Sequence, residues 1–405
     1  MPKLWVGGQN MSNQLVICKR QNQILSCLLE EKQLVQINAT DVDADSLLGN
    51  IYIGKVKNIV KNINAAFVEI AGGQMCYLSL EDNKKPIFVN KKNTDKIVIG
   101  DEIIVQVEKE GIKTKAPVIT SNLNLAGKYV VLTYGKSKHG VSNKITDDSH
   151  RKALRAIMSD YVSEEYGLVV RTNAETASPE TIRQEIETII ARYEKIKEHG
   201  IHRTCFSLLY QAPKNYLSDI RDGYDAVIEQ IVTDDAVIFE EIKEYLKENQ
   251  PEDVHKLHFY EDKLVSLSSL YSIETKLEKA LQERVWLKSG GYLVIQPTEA
   301  LTVIDVNTGK AVQGKKRAEE TFFKINKEAA AEIIKQVRLR NLSGIIIIDF
   351  IDVTTESYKD ELMELLRREF KKDPVKTVVV DMTQLNLVEV TRKKVRKPLH
   401  EQIRK

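Results

Sequence analysis

The sequence predicts an α+β multidomain protein with a small closed barrel set into its N-terminal half. Three observations predict it. The chain has 405 residues, too many for one ordinary core and suited to roughly two to four domains. Between residues 48 and 119 it runs through short β-rich segments separated by Asn, Gly and Lys turns. From residue 281 onward it carries its strongest strand patterns, interleaved with an amphipathic helix pattern.

With 42% hydrophobic and 29% charged residues the chain reads as soluble and globular. A net charge of +2 neither demands nor excludes a nucleic-acid partner, because local stripes of charge decide that. No run approaches the roughly 20 apolar residues of a membrane span. Residues 1–10 have neither the basic nor the apolar region of a secretory signal, and Met11 is an equally acceptable start. The four cysteines, Cys18, Cys27, Cys76 and Cys205, form no C-x-x-C pair. They are expected to be small buried hydrophobes, with no zinc site visible, and the cytoplasm is the expected location.

In chain order, LVICK, ILSCLLE and LVQI within residues 14–37 read as consecutive antiparallel strands. GNIYIGKVKNIV, AAFVEI, QMCYLSL and DEIIVQVEKE then have the count and spacing of a barrel of about five strands, the OB type. Over residues 125–210, GKYVVLTYG and YGLVVRTNA predict strands, and HRKALRAIMSDYV and PETIRQEIETIIARYEKIKEH predict helices. Ser178 is the expected N-cap of the second helix, with Pro179 in its first turn. Residues 215–280 are charged and helix-rich, with a strand expected near VTDDAVIF and a long amphipathic helix over SIETKLEKALQERVWL. GGYLVIQ and ALTVIDVN are strands joined by a Pro-containing turn. Phe322, Ile325, Ala329, Ile333 and Val337 recur at the spacing of one helix face. SGIIIIDFIDV follows, an apolar β-branched run expected of a strand buried on both faces.

Two acids stand in the most apolar strands. Alternation puts Leu301, Val303, Asp305 and Asn307 on one face, and Asp349 interrupts a run of isoleucines. A lone buried carboxylate is costly unless a cation or donors compensate. If the two strands are neighbours, the acids converge. With an amide beside them they form an oxygen-rich site suited to Mg²⁺, and Mn²⁺ fits the same oxygens. Such an ion can orient a phosphodiester and activate water. The alternative for each Asp is a strand-end cap or turn former. Asp352, on the other face from Asp349 by alternation, is a weaker candidate, and Asp381 in TVVVDMTQ repeats the strand-then-Asp pattern.

On the barrel, Phe67 and Tyr77 lie on strand-like segments with Lys55, Lys57 and Lys61 nearby. Aromatic faces with lysines suit stacking on bases and contact with phosphates; the alternative is that Phe67 fills the barrel core. Arg171 and Thr172 directly follow the strand YGLVV, where an Arg fork and a hydroxyl can hold a terminal phosphate or serve as surface salt-bridge partners. The closing TRKKVRKPLHEQIRK, with Arg392, Lys393, Lys394, Arg396 and Lys397, is suited to phosphate contact or to a solvated helix end.

Taken together, NIYIGKVKNIVKNINAAFVEI, YGLVVRTNA, TEALTVIDVNTGKAVQGK, EAAAEIIKQVRLRNLSGIIIIDFIDV and LVEVTRKKVRKPL resemble the bacterial ribonuclease E/G family, and within it the short ribonuclease G type. The resemblance covers about residues 12–396. It implies an RNase H-like subdomain (11–46 and 215–280) interrupted by an S1-type OB RNA-binding domain (47–119) and a 5′-sensor region (120–214). A DNase I-like catalytic subdomain (281–400) follows. It implies that Asp305 and Asp349 bind Mg²⁺ and that Asn307 helps to position Asp305 or the attacking water. Phe67, Tyr77 and Lys115 would contact single-stranded RNA, Tyr77 standing where relatives often have Phe. Arg171 and Thr172 would form the pocket for a 5′-monophosphate. The C-P-x-C zinc motif and small dimerisation domain of many members are not in the sequence, so a zinc-linked assembly is not expected, while a homodimer is compatible with the resemblance.

The function so implied is a metal-dependent endoribonuclease acting on single-stranded A/U-rich RNA in mRNA turnover and rRNA processing. It would leave 5′-phosphate and 3′-hydroxyl ends and be stimulated by a 5′-monophosphate. The alternative is a non-catalytic RNA-binding or ribosome-assembly factor using the barrel and basic tail; Asp305, Asn307 and Asp349 favour the enzyme.

Overall fold

The computed structural model describes residues 13–42, 46–90, 94–111, 115–223, 228–309 and 318–403. They fall into two compact units, one built from residues of 1–43, 226–246 and 252–405, the other from 44–225 and 247–251.

In the first unit one sheet has the strand order Leu257–Phe259, Gln230–Thr233, Gln14–Arg20, Gln23–Glu30, Gln33–Asp41. The last three form the antiparallel meander that their alternation predicts, and Gln230–Thr233 runs parallel to Gln14–Arg20. Only the start of VTDDAVIF is strand. Asp235 Oδ1 accepts the amides of Val237 and Ile238 at 3.0 Å, which caps the helix Ala236–Asn249.

The second sheet of this unit has the order Arg284–Trp286, Tyr292–Pro297, Leu301–Asn307, Gly344–Asp349, Leu387–Arg392, Thr377–Met382. All neighbours are antiparallel except Leu301–Asn307 and Gly344–Asp349. A parallel pair needs a long crossover, and the helix Ala318–Leu339 lies in that connection. Its Ile325, Ala329, Ile333 and Val337 are buried with Leu293, Ile304, Ile346, Ile348 and Val388 of the sheet, while Phe323 takes a deeper place than Phe322.

Two expectations fail here. The strand in SGIIIIDFIDV is not buried on both faces: Ile346 and Ile348 are fully buried, but Ile345 is 49% exposed and Asp349 is exposed. Core packing with Ala318–Leu339 and Glu356–Phe370 buries one set of alternating side chains only. The long helix expected over SIETKLEKALQERVWL stops early: Ile273–Leu281 is helical, and Arg284–Trp286 is an edge strand paired with Tyr292–Pro297. Val285 and Trp286 favour strands, and ladder pairing outweighs a weak helical preference.

In the second unit, Ile51–Val60, Ala65–Glu69, Met75–Ser79, Val118–Thr120 and Glu102–Lys109 pair in turn, and the last returns to the first. This closes a five-stranded barrel of the OB type, as the spacing predicts. Val56, Val68, Cys76, Leu78, Val105 and Ile119 fill its core. Gly54 is needed because a Cβ there would sit 2.6 Å from a Val68 methyl. A separate sheet, Asn124–Ala126, Val130–Tyr134, Tyr166–Val170, Gly140–Val141, carries the helices Asp148–Met158 and Pro179–His202. Ser178 Oγ accepts the Thr181 amide at 3.2 Å, the expected N-cap. Ile182, Ile186, Ile189, Tyr193 and Ile196 form the buried stripe of that helix.

Candidate active site

Because Leu301–Asn307 and Gly344–Asp349 run parallel, their C-terminal ends lie side by side. Asp305 and Asp349 are register partners across that pair. Asn307, two residues on and on the same face, donates from Nδ2 to Asp305 Oδ2 at 2.7 Å. Gly291 lets the preceding turn approach this end, since a Cβ there would lie 2.8 Å from the Asn307 carbonyl oxygen. Partial desolvation, then the negative charges of Asp305 and Asp352, push the Asp349 carboxyl above its ordinary range.

The strand ends at Asp349, so alternation does not define a face for residue 352, though the negative charge of Asp352 still reaches Asp349. Asp352 Oδ1 accepts from Asn386 Nδ2 at 3.1 Å. Asp381 is different: one strand separates its own from that of Asp349, and its Oδ1 accepts the amide of Met382 at 2.9 Å.

The segment after Asp349 is held by the helix Ala318–Leu339. Asn326, fully buried, donates to the Ile351 carbonyl at 2.7 Å and accepts the Ile351 amide at 3.1 Å. Glu319 Oε1 accepts from the Thr354 amide, the Thr354 hydroxyl and the Thr355 amide at 2.7, 2.8 and 2.8 Å. These donors, the Thr354 hydroxyl foremost, hold the Glu319 carboxyl down to about 2. Sequence reasoning missed both residues. Asn326 had a signal, an amide within an apolar helical stripe; Glu319 had none.

On the barrel, Phe67 and Tyr77 are register partners with ring centroids 6.3 Å apart in an edge-to-face pair. Both are half-buried and lie outside the barrel core, which Ala66 and Val68 enter instead. Lys115 is exposed, two residues before Pro117, whose carbonyl accepts the Tyr77 amide at 2.8 Å. Lys57 pairs with Glu69 at 2.6 Å and Lys55 approaches Glu102 at 3.7 Å, whereas Lys61 is exposed.

Arg171 Nη1 lies 2.8 Å from Asp222 Oδ1 and donates to the Gly127 carbonyl at 2.7 Å. Thr172 Oγ1 is 3.1 Å from Ser142 Oγ. Nearby, Glu185 accepts the amides of Lys128, Tyr129 and Val130 at 2.6 to 2.7 Å. The basic closing segment divides. Arg392 is not solvated but forms a buried pair with Asp373 at 2.7 Å, and Lys393, Lys394 and Lys397 are exposed. No helix covers 393–397; Leu399–Gln402 is the next helical turn.

The Ribonuclease E/G family matches residues 124–395 of the chain. This chain belongs to that family. Ribonuclease G of Haemophilus influenzae is 34% identical over 388 residues, 93% of this chain and 79% of its own length. Ribonuclease G of Escherichia coli (strain K12) is 33% identical over 363 residues, 87% of this chain and 74% of its own length. Ribonuclease E of Nostoc sp. is 33% identical over 391 residues, which span 95% of this chain and 56% of that protein. As a member of the ribonuclease E/G family, the chain is an endoribonuclease of RNA processing. Among the described residues no helix is long and apolar enough to cross a membrane.

Proposed function

We propose that the chain hydrolyses single-stranded, A/U-rich RNA internally at a Mg²⁺ site made by Asp305 and Asp349. The register of Asp305 against Asp349 carries this reading. Among the described residues no group of three or more His, Cys, Asp or Glu side chains could hold a metal ion. A pair of carboxylates still fits Mg²⁺, which keeps several waters and is bound through one or two carboxylates plus substrate phosphate. When bound, such an ion supplies positive charge to the phosphodiester and lowers the pKa of water.

The protein's own groups position that chemistry. Asn307 engages one oxygen of Asp305, which fixes the carboxylate's orientation. Asn326 and Glu319 hold the backbone beyond Asp349. Phe67 and Tyr77 stack on bases, and Lys115 meets a phosphate. Arg171 and Thr172 receive a 5′-monophosphate, for which Asp222 is the competing anion. Residues 281–400 serve as a DNase I-like catalytic subdomain, 11–46 with 215–280 as an RNase H-like one, 47–119 as an S1-type domain and 120–214 as the 5′ sensor. The products carry 5′-phosphate and 3′-hydroxyl ends, and the setting is mRNA turnover and rRNA processing in the cytoplasm.

The test is a 5′-monophosphorylated A/U-rich oligonucleotide incubated with the protein in Mg²⁺ or EDTA. Internal products are expected only with the metal, and Asp305→Asn or Asp349→Asn should remove them while RNA affinity remains. Undiminished cutting by both variants sinks the site assignment, and a mobility shift without products points to an RNA-binding factor instead. Equal rates on 5′-triphosphate and 5′-monophosphate substrates would remove the sensing role of Arg171 and Thr172.

A further inference from the structure

The edge strand Arg284–Trp286 brings an aromatic pair to the same sheet face as the candidate site. Trp286 is the register partner of Tyr292, and Tyr292 is the partner of Asn307. Two residues along each strand, and so on the same face, Arg284, Val294, Asp305 and Asp349 form the next row. Partners across a ladder share a face, so the backbone of Trp286 stands two strand spacings, about 10 Å, from that of Asn307. The rings of Trp286 and Tyr292 lie 5.2 Å apart. The Arg284 guanidinium sits 4.5 Å from the Tyr292 ring centre and 5.8 Å from that of Trp286. Trp286 is 65% exposed. An indole left in water forgoes the gain of burial, and here a cation is stacked beside it.

We infer that Trp286, Tyr292 and Arg284 form a base-stacking subsite for the RNA strand, beside the scissile phosphate held near Asp305. This rests on the cleavage reading above. Every nucleobase has a face to stack on an aromatic ring, and Arg adds attraction for both the base and its phosphate. Trp, Tyr and Arg also serve protein interfaces; what favours RNA here is that they share a sheet face with Asn307 and Asp305. The subsite orders one nucleotide flanking the cleaved bond and makes no demand on its sequence.

The chain has two tryptophans, so Trp5→Phe leaves Trp286 as the sole indole reporter. Combined with Asp305→Asn in EDTA, this protein binds without cutting. Adding a short single-stranded A/U-rich RNA should quench its emission saturably. Walking one abasic nucleotide along the RNA should find a position where the quench is lost and affinity falls about 5- to 150-fold. In otherwise wild-type enzyme with Mg²⁺, Trp286→Ala should raise KM by a similar factor with kcat kept, and Trp286→Phe should restore most of it. Unchanged emission on adding RNA overturns the inference. So does emission that changes with protein concentration alone, which would assign this face to a second copy. Abasic effects that are equal at every position also overturn it. The binding arm needs neither metal nor chemistry, so a wild-type enzyme that fails to cut would count against the metal reading and leave this measurement standing.

Discussion

Asn326 forms a closed pair of hydrogen bonds with the backbone of Ile351, its amide nitrogen donating at 2.7 Å and its oxygen accepting at 3.1 Å. A polar side chain from a core-facing helix thus fixes the chain between Asp349 and Asp352, at the residue just before Asp352.

Asn326→Leu keeps the size of the side chain and removes both bonds, leaving the amide and carbonyl of Ile351 without partners. The expected destabilisation is about 1–3 kcal/mol, read by urea unfolding at neutral pH. Cleavage should fall further than the folded fraction does, because Asp349 loses its support. Unaltered unfolding and rate would remove the anchoring role.

Asn307→Leu deletes the donor to Asp305. Partners that orient a ligand typically change metal affinity by about 10- to 100-fold, so the Mg²⁺ concentration for half-maximal cleavage should rise by that order. A titration superimposable on wild type would show the bond to be immaterial.

Phe67→Ala and Tyr77→Ala should each weaken single-stranded RNA binding by about 5- to 150-fold. Fluorescence anisotropy at one fixed salt concentration checks this. Wild-type affinity in both variants would return the pair to a packing role.

The buried pair Arg392–Asp373, with side chains 2% and 3% exposed, should tolerate double replacement better than single. Arg392→Met strands the Asp373 charge and should cost about 3–5 kcal/mol. Arg392→Met with Asp373→Leu should recover part of that loss in denaturant midpoint. Additive losses would argue against coupling.

Desolvation alone would raise the Asp222 carboxyl. The hydrogen bond and charge of Arg221, then the charge of Arg171, outweigh it and bring the group down to about 2. A depressed carboxylate stabilises the fold above its unfolded value of 3.8 and ceases to as pH falls through about 2. The stability gap between wild type and Asp222→Asn should therefore be constant near neutrality and narrow from about pH 4 downward, by thermal unfolding across pH. A gap independent of acid would sink the assignment. In the same variant Arg171 loses its resident anion, and discrimination between 5′ ends should change with it.

Much of this architecture is local and so was legible. Turn residues and period-two patterns mark the barrel, and the periodic run Ile325, Ala329, Ile333, Val337 marks its helix. Asp305 and Asn307 share a face because alternation within one strand demands it. Their relation to Asp349 is not local: it depends on a parallel crossover joining strands that lie far apart in sequence. Alternation says nothing about Asp352, because its strand ends three residues earlier, at Asp349. Arg284–Trp286 was read as helix because a helical period runs smoothly through Leu281, and only pairing with Tyr292–Pro297 stops it. The half-open sheet face escaped too, since an isoleucine run records hydrophobicity and not how many layers cover it.

The buried thiols have a use that follows from their positions. Cys18 and Cys27 lie in the meander of the first unit and Cys76 in the barrel of the second. Burial raises the Cys18 thiol to about 12 and the Cys76 thiol to about 11. Alkylating reagents attack the thiolate, so these sites stay silent until the surrounding strands part. The native chain therefore carries a separate chemical clock in each unit. Cys205 is only half-buried, contrary to the expectation for all four cysteines, so it is first replaced by Ser; the order in which Cys18, Cys27 and Cys76 then become labelled during gentle denaturation reports which unit opens first.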